Sequence, residues 1–293
     1  MNPQQYYKRV TGILRPEILH ERTVLIIGAG SGGARIATEL GRLGVKLILA
    51  DRPGEVLEEH NVIRHVLGYG SLGKPKTTEL AAHIRSFNPD ADIRTLECDA
   101  VTDVDTLEQL VAQHRIDVVL CCTDSPDSRH AINVFCVRHA IPMVAAGVYD
   151  GGVGGEVCRT SPGQACYACI STFTGDGRTR TSQQKSINYE NPDYREAAAT
   201  CALNLDITQI TILQTKLTLQ LLLPDANLTG LPSEVNVIRF ANRVFADVFP
   251  RPMHAEFFVV EPLRDCLICG GTRQETTPDI LKALADMGVP VHA

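Results

Sequence analysis

Two copies of one short motif, Cys166-Tyr-Ala-Cys169 and Cys266-Leu-Ile-Cys269, constrain this chain more than any other feature of its sequence. A C-x-x-C sets two sulfurs on one tight turn, where both can face a single metal ion. Two such turns complete a tetrahedral four-thiolate site, a donor set and geometry that suit zinc. Compact zinc ribbons keep their pairs within about twenty residues of one another. Here residues 170–265 intervene, so Zn²⁺ bound by Cys166, Cys169, Cys266 and Cys269 would clip together two distant parts of one folded domain. A redox C-x-x-C is the competing reading, but that motif usually occurs once, near the start of a helix. The duplication points to a structural metal.

The remaining cysteines do not suggest a secreted disulfide framework. Cys98, Cys121, Cys122 and Cys136 lie in apolar runs, where cysteine acts as a small hydrophobe. The start, Met1-Asn2-Pro3-Gln4-Gln5, has no signal-peptide core, so the expected compartment is a reducing cytoplasm. Leu203–Leu223 is rich in Leu and Ile but is broken by Asn204, Asp206 and Lys216, which predicts a buried amphipathic helix and no membrane span. A net charge of -6 argues against a nucleic-acid-binding surface.

Strand-like and helix-like segments alternate through the first half. Thr23–Gly28, Val45–Ala50, Asp117–Thr123 and Pro142–Ala146 are β-branched and apolar, with Ile93–Glu97 a shorter candidate. Between them Ile36, Leu40 and Leu43, then Leu80, Ile84 and Phe87, repeat with helical spacing. Strands alternating with helices predict an α/β, Rossmann-like, doubly wound parallel sheet, and continuous apolar runs fit strands buried on both faces. After Gly147 the pattern changes. Gly151, Gly152, Gly154 and Gly155 read as a flexible stretch, and Gly175–Ala199 as a long polar mobile loop. Val235–Phe240 and Glu256–Glu261 are predicted strands of an antiparallel extension.

Gly28-Ala29-Gly30-Ser31-Gly32-Gly33 is a G-x-G-x-x-G between the first strand and its helix. Gly28, Gly30 and Gly33 let the backbone approach a phosphate, and the helix N-terminus supplies N–H donors. Asp51 closes the second strand, where a carboxylate can accept both hydroxyls of a ribose. To this point a dehydrogenase would look the same. Asn61 and Arg64 in His60-Asn61-Val62-Ile63-Arg64-His65, and Lys76 at the head of the next helix, then add positive charge suited to a triphosphate. Cys122-Thr123-Asp124-Ser125 puts Asp124 at the C-terminal end of a strand, where open α/β sheets bind ligands and a carboxylate can hold Mg²⁺ between phosphates.

With these elements in order, and with Arg129, Asn133 and Thr200-Cys201, the chain resembles the ThiF-type adenylyltransferases over about residues 5–271. That superfamily includes ubiquitin-activating enzymes and bacterial activators of sulfur-carrier proteins. The resemblance implies one adenylation domain over residues 1–271, with an N-terminal segment 1–22, a crossover loop 175–200, and a tail 272–293. It implies ATP held by the glycine loop and Asp51, phosphate contacts from Asn61, Arg64 and Lys76, Mg²⁺ at Asp124, and a homodimer. The substrate it implies is the C-terminal carboxylate of a ubiquitin-like protein with a Gly-Gly-type tail, with a conjugating enzyme as a further partner. Relatives take an arginine from a partner subunit's N-terminal segment; Arg9 is the first candidate and Arg15 the second. Cys201 is the candidate thioester nucleophile, since a thiol near a helix N-terminus is acidified.

The sequence departs from the sulfur-carrier activators after Cys201, where Ala202-Leu203-Asn204-Leu205-Asp206 replaces their usual Gly-Val and Pro. Gly154-Gly155-Glu156-Val157 is more similar to bacterial members linked to ubiquitin-like conjugation. Activation of a sulfur carrier for thiamine or molybdopterin remains the alternative. A catalytically silent scaffold subunit would lose the arginine, lysine or aspartate kept here, and an NAD-dependent oxidoreductase would leave the cysteine pairs unexplained.

Overall fold

The structure is a computed structural model that describes residues 1–174, 201–226, 228–245 and 248–270. The crossover loop 175–200 and the tail 272–293 expected from the sequence lie outside the described residues. Short helical turns α1 (Pro3–Tyr6) and α2 (Pro16–Leu19) lead into strand β1 (Thr23–Ile27), helix α3 (Ser31–Arg42) and strand β2 (Lys46–Asp51). A short α4 (Glu59–Val62) precedes α5 (Lys76–Phe87), β3 (Ile93–Glu97), α6 (Val104–Gln113), β4 (Val118–Cys121), α7 (Pro126–Arg138) and β5 (Met143–Val148). Then come β6 (Gly154–Thr160), α8 (Tyr167–Thr174), α9 (Asn204–Leu222), β7 (Val237–Ala241) and β8 (His254–Phe258).

The strands form one sheet in the order β3-β2-β1-β4-β5-β6-β7-β8. From β3 to β5 all pairs are parallel, and from β5 to β8 all are antiparallel. The chain leaves β1 toward β2 on one side and later returns as β4 on the other. That reversal opens a crevice beyond the C-terminal ends of β1 and β4.

Alternation along β1 sorts the core into two layers. Val24 and Ile26 point into a cluster with Ile36 and Leu40 of α3, Ile84 of α5, and Ile210 and Leu217 of α9. Leu25 and Ile27 point into the other, with Leu107 of α6, Ile132 and Phe135 of α7, and Ile170 of α8. Cys98, Cys121 and Cys136 are buried in this second layer, in keeping with their reading as small hydrophobes, as is Cys158, whereas Cys122 is half-buried and packs against the first layer. The helix predicted from Leu203 runs as α9, and among the described residues no helix is long and apolar enough to cross a membrane.

One expectation is corrected. Gly154 and Gly155 are not part of a flexible stretch; they begin β6, whose seven residues are all buried. Their lack of side chains serves packing. A Cβ at Gly154 would come 2.4 Å from the Phe240 carbonyl oxygen, and one at Gly155 would come 2.4 Å from the Gly147 carbonyl oxygen and 2.8 Å from Ile210. Glycine-rich composition cannot by itself distinguish a loose segment from a strand squeezed between neighbours.

The glycine loop is built on the same principle. Gly28 has φ 101°, and a Cβ there would sit 2.6 Å from the Cys122 carbonyl oxygen. At Gly33 an added Cβ would lie 1.9 Å from the Gly28 carbonyl oxygen. Because that contact is with backbone, Gly33→Ala is expected to cost about 3 kcal/mol of stability, read as a lowered urea midpoint. A midpoint equal to wild type would show that the loop can open.

Candidate functional site

The crevice at the switch point is a cleft of about 480 Å³. It collects Gly28, Gly30, Asp51, Asn61, Arg64, Lys76 and Asp124 along its walls. Residues far apart in sequence thus meet where the first-half pattern placed them.

On one side lies the N-terminus of α3. Its N-cap residue is Gly30, and no side chain caps the helix, so its first N–H groups have no side-chain acceptor there. A Cβ at Gly30 would meet nothing within 4 Å, which leaves room directly over those donors. Asp51 is fixed beside them, since the Ala29 N–H donates to its Oδ2 at 2.9 Å and the Arg52 N–H to its Oδ1 at 3.0 Å. Burial pushes the Asp51 carboxyl up, against the lowering effect of those two N–H groups and of Lys76.

His65 holds the other edge of the loop. Its Nδ1 accepts from the Leu67 N–H at 3.1 Å, and its Nε2 lies 2.9 Å from the Ala29 carbonyl oxygen. That pattern requires the neutral ring with the proton on Nε2. Burial lowers its pKa, which favours the same neutral form. The two peptide groups that flank the Ala29 Cα are therefore both held, one at the Ala29 N–H by Asp51 and the next at the Ala29 carbonyl by His65.

Lys76 opens α5 and reaches the cleft with its Nζ 2.6 Å from Glu55 Oε2. The other Glu55 oxygen accepts from Arg52 at 2.5 Å. Burial raises the Glu55 carboxyl, but the hydrogen bonds and charges of Lys76 and then Arg52 outweigh it and hold it below its usual value. Asn61 accepts the Glu58 N–H at 3.1 Å, so its amide oxygen is engaged in ending the turn before α4. Asp124 is exposed at the mouth, just past β4, and Arg64 is half-buried.

Arg129 serves the site differently from the surface charges. Its Nε donates to the Thr123 carbonyl at 3.1 Å and one Nη to the Ala146 carbonyl at 2.9 Å, tying α7 to the ends of β4 and β5. Asn133 accepts the Tyr167 N–H at 2.8 Å, joining α7 to the first cysteine pair.

Not every expected residue is in the cleft: Gly33 is buried behind the loop, outside the lining, where its lack of a side chain serves packing against the Gly28 carbonyl. Arg9 is exposed on the N-terminal segment, outside the cleft lining. Arg15 forms an exposed ion pair with Asp225 at 3.5 Å. Cys201 is exposed and also outside the lining, while its neighbour Ala202 lies within it. Sequence reasoning missed Arg52, Glu55, Tyr149 and Glu156 as cleft residues. The spacing of Arg52 and Glu55 past a strand end was the available signal; nothing local marked Tyr149 and Glu156.

The two cysteine pairs meet on the opposite layer of the molecule. The sulfurs of Cys166, Cys169, Cys266 and Cys269 lie within 4.8 Å of one another. Three of the separations are 3.9 Å (Cys166–Cys169), 3.6 Å (Cys166–Cys266) and 3.5 Å (Cys169–Cys269). A tetrahedron with metal–sulfur bonds of about 2.3 Å has sulfur–sulfur edges of about 3.8 Å, so the four fit a zinc ion. The Cys266 thiol is pulled down to about 4, chiefly by the hydrogen bond from Cys166 and further by backbone N–H groups of Cys269 and Ile268. The hydrogen bond to Cys266 and burial push the Cys166 thiol up, and burial pushes Cys169 up, so Cys266 is the sulfur that favours thiolate before a metal displaces the remaining protons.

Comparison with known proteins agrees with this geometry. The ThiF family matches residues 8–249. Ubiquitin-like modifier-activating enzyme 5 of Drosophila simulans is 31% identical over 179 residues, which span 56% of this chain and 44% of that protein. The same enzyme of Bombyx mori is 31% identical over 172 residues, covering 55% of this chain and 43% of that protein. The chain thus spans less than half the length of these curated relatives. Among solved structures, E. coli MccB with ATP superposes with a TM-score of 0.65 at 17% identity, over 87% of this chain and 68% of that one. E. coli MccB with MccA-N7isoASN gives 0.66 at 17% identity, over 92% and 77%. At such identity the likeness is one of fold.

Proposed function

This chain belongs to the ThiF family, and from that premise we propose that it is an ATP-dependent adenylyltransferase acting on the C-terminal carboxylate of a ubiquitin-like protein. The supporting observation is the convergence, in one cleft, of an uncapped helix N-terminus, a ribose-sized carboxylate anchor at Asp51, the cations Lys76 and Arg64, and Asp124 at the mouth. Asp51 accepts the ribose hydroxyls. The N–H groups that follow Gly30, with Asn61, Arg64 and Lys76, bind and neutralise the phosphates. Asp124 is the residue that would hold Mg²⁺, which supplies charge neutralisation on the phosphate oxygens. A substrate carboxylate oxygen attacks the α-phosphorus, the bond from that phosphorus to the bridging oxygen breaks, and pyrophosphate leaves. The product is an acyl adenylate. Catalysis here is alignment plus charge stabilisation, with no protein group bonded to phosphorus.

The acyl group then passes to Cys201 as a thioester, with AMP leaving, before transfer to a conjugating enzyme in a bacterial ubiquitin-like conjugation pathway in the cytoplasm. The working form is a homodimer in which Arg9, or else Arg15, reaches the partner's cleft; both stand outside the cleft of their own chain. Residues 1–271 act as one adenylation domain. The four thiolates hold a structural zinc ion. The presence of Asp124, Arg64 and Lys76 together argues against a silent scaffold role.

Two variants test the reading. Gly30→Ala adds a methyl where no atom stands within 4 Å, so it should fold like wild type yet lose about tenfold or more in Mg²⁺–ATP affinity, by blocking the approach of a phosphate to the helix donors. Asp124→Ala should fold normally and abolish ATP–pyrophosphate exchange with a Gly-Gly-ending carrier. Unchanged exchange would remove Asp124 from the mechanism, and binding of NAD without binding of ATP would overturn the assignment.

A further inference from the structure

The wall of the cleft formed by β5 and β6 carries a carboxylate for which a nucleotide has no use. Glu156 is 8% exposed, yet it lines the cleft together with Tyr149. The Tyr149 hydroxyl donates to its Oε2 at 3.0 Å. Arg239 of β7 brings its Nε to 3.9 Å from the same oxygen, beyond hydrogen-bond reach, and that Nε has no hydrogen-bond partner among the described residues. The other oxygen of Glu156 accepts no hydrogen bond from the described residues. That oxygen is not one of the buried atoms left without a partner; it opens onto the cleft, where a donor on a ligand can replace water.

The register of the sheet says what stands beside it. Glu156 pairs directly with Gly147 of β5. A side chain at Gly147 would point at Arg129, with its Cβ 3.3 Å from the guanidinium. Facing residues of an antiparallel pair project from the same side of the sheet. Arg129 and Glu156 therefore flank a bare glycine, one positive and one negative, and all three line the same cleft. Glu156 stands between the cations Arg239 and Arg129, and its open oxygen is an acceptor that calls for an N–H donor, which a phosphate lacks, so this end suits the acyl substrate. A peptide C-terminus carries complementary groups in the right order: a carboxylate and, on the same residue, a peptide N–H donor.

We propose that Arg129, Gly147 and Glu156 form the acyl-side subsite, in which Glu156 accepts the last peptide N–H of the substrate and Arg129 faces its carboxylate. The inference rests on the adenylation reading of the same cleft. It makes the enzyme selective for a C-terminal residue that carries a free peptide N–H, and it sets the carboxylate pointing away from Glu156 toward the nucleotide.

The test uses two stable acyl-adenylate mimics on the full chain. One is N-acetyl-glycyl-glycyl sulfamoyl adenosine. The other replaces the last N–H by an ester oxygen, with the same shape and no donor. Wild type should bind the amide probe about tenfold or more tightly than the ester, the usual range for a hydrogen bond to a charged group. In Glu156→Leu the two probes should bind within about twofold of each other, and Glu156→Gln, which keeps an acceptor oxygen, should retain part of the preference. Should the leucine variant not fold, the wild-type and glutamine comparisons decide. If wild type binds ATP but treats the two probes alike, or if the ratio is unchanged without Glu156, the subsite assignment is wrong while the adenylation reading stands. If neither ATP nor either probe binds, the reading of the cleft fails and takes this inference with it.

Discussion

Cys166→Ser is expected to strip the protein of its zinc and to lower its melting temperature by about 10 °C or more. The four sulfurs already stand at tetrahedral separations, and on a zinc ion they would fill every ligand position, leaving no coordination place open for water or substrate. Such a site holds structure and does no chemistry. What it holds is the far end of the fold. Cys166 and Cys169 lie at the start of α8, packed in the second core layer, while Cys266 and Cys269 follow β8, the edge strand of the sheet. The segment 261–265 between β8 and the second pair is exposed throughout, so a metal held by the four sulfurs would be its principal anchor. Structural zinc in small peptides binds with about 10–16 kcal/mol. This domain has a core of its own, so only part of that is at stake. A loss of about 4 kcal/mol would move the melting point by roughly 10 °C in a chain of this size. Metal analysis of the desalted protein beside a thermal melt reads both effects. Cys201→Ser serves as the control, since Cys201 is exposed and outside the cluster, and it should keep both the zinc and the melting point. A well-folded wild type that carries no zinc would sink the assignment.

The parts of this molecule that were legible in the sequence are those set by local rules. The glycine loop, Asp51, Lys76 and Asp124 each sit at a strand end or helix start, and a parallel α/β sheet always gathers such positions at one edge. The cysteine pairs were legible because a metal demands particular residue types at a fixed spacing. Arg129 and Asn133 could be picked out by resemblance, but their work of tying α7 to β4, β5 and α8 depends on tertiary contacts. Glu156 was hidden for a further reason. Its partners Gly147 and Arg239 come from two other strands, and the cross-strand register that aligns them depends on long-range pairing. The same register explains why Gly154 and Gly155 misled. They look like a loose loop until the neighbouring Phe240 carbonyl and Ile210 are seen to leave no room for side chains.

Cys201→Ala is expected to retain ATP–pyrophosphate exchange and to lose all thiol-sensitive conjugate with the carrier. Exchange needs only the nucleotide pocket and the acyl subsite, and Cys201 lines neither. Thioester capture needs a thiol that can reach the acyl carbon. Among the described cysteines outside the metal cluster, Cys98, Cys121, Cys136 and Cys158 are buried and Cys122 is half-buried beside Gln214, which leaves Cys201 as the exposed one. Its place in the chain also suits transfer. Ala202, next to it, lies in the cleft wall, and α9 begins at Asn204, which accepts from Arg35 of α3 at 2.9 Å. Cys201 is thus tethered close to α3, whose uncapped N-terminus faces the cleft. Cys201→Ser sharpens the test. A serine oxygen in the same place would form an ester with the carrier, stable to thiols but cleaved by alkali, and its appearance would locate the acyl group at this position. If Cys201→Ala instead passes its carrier on as well as wild type does, no thioester at Cys201 is needed. The adenylate would then be released directly, and the activation of a sulfur carrier would become the better account of the same cleft.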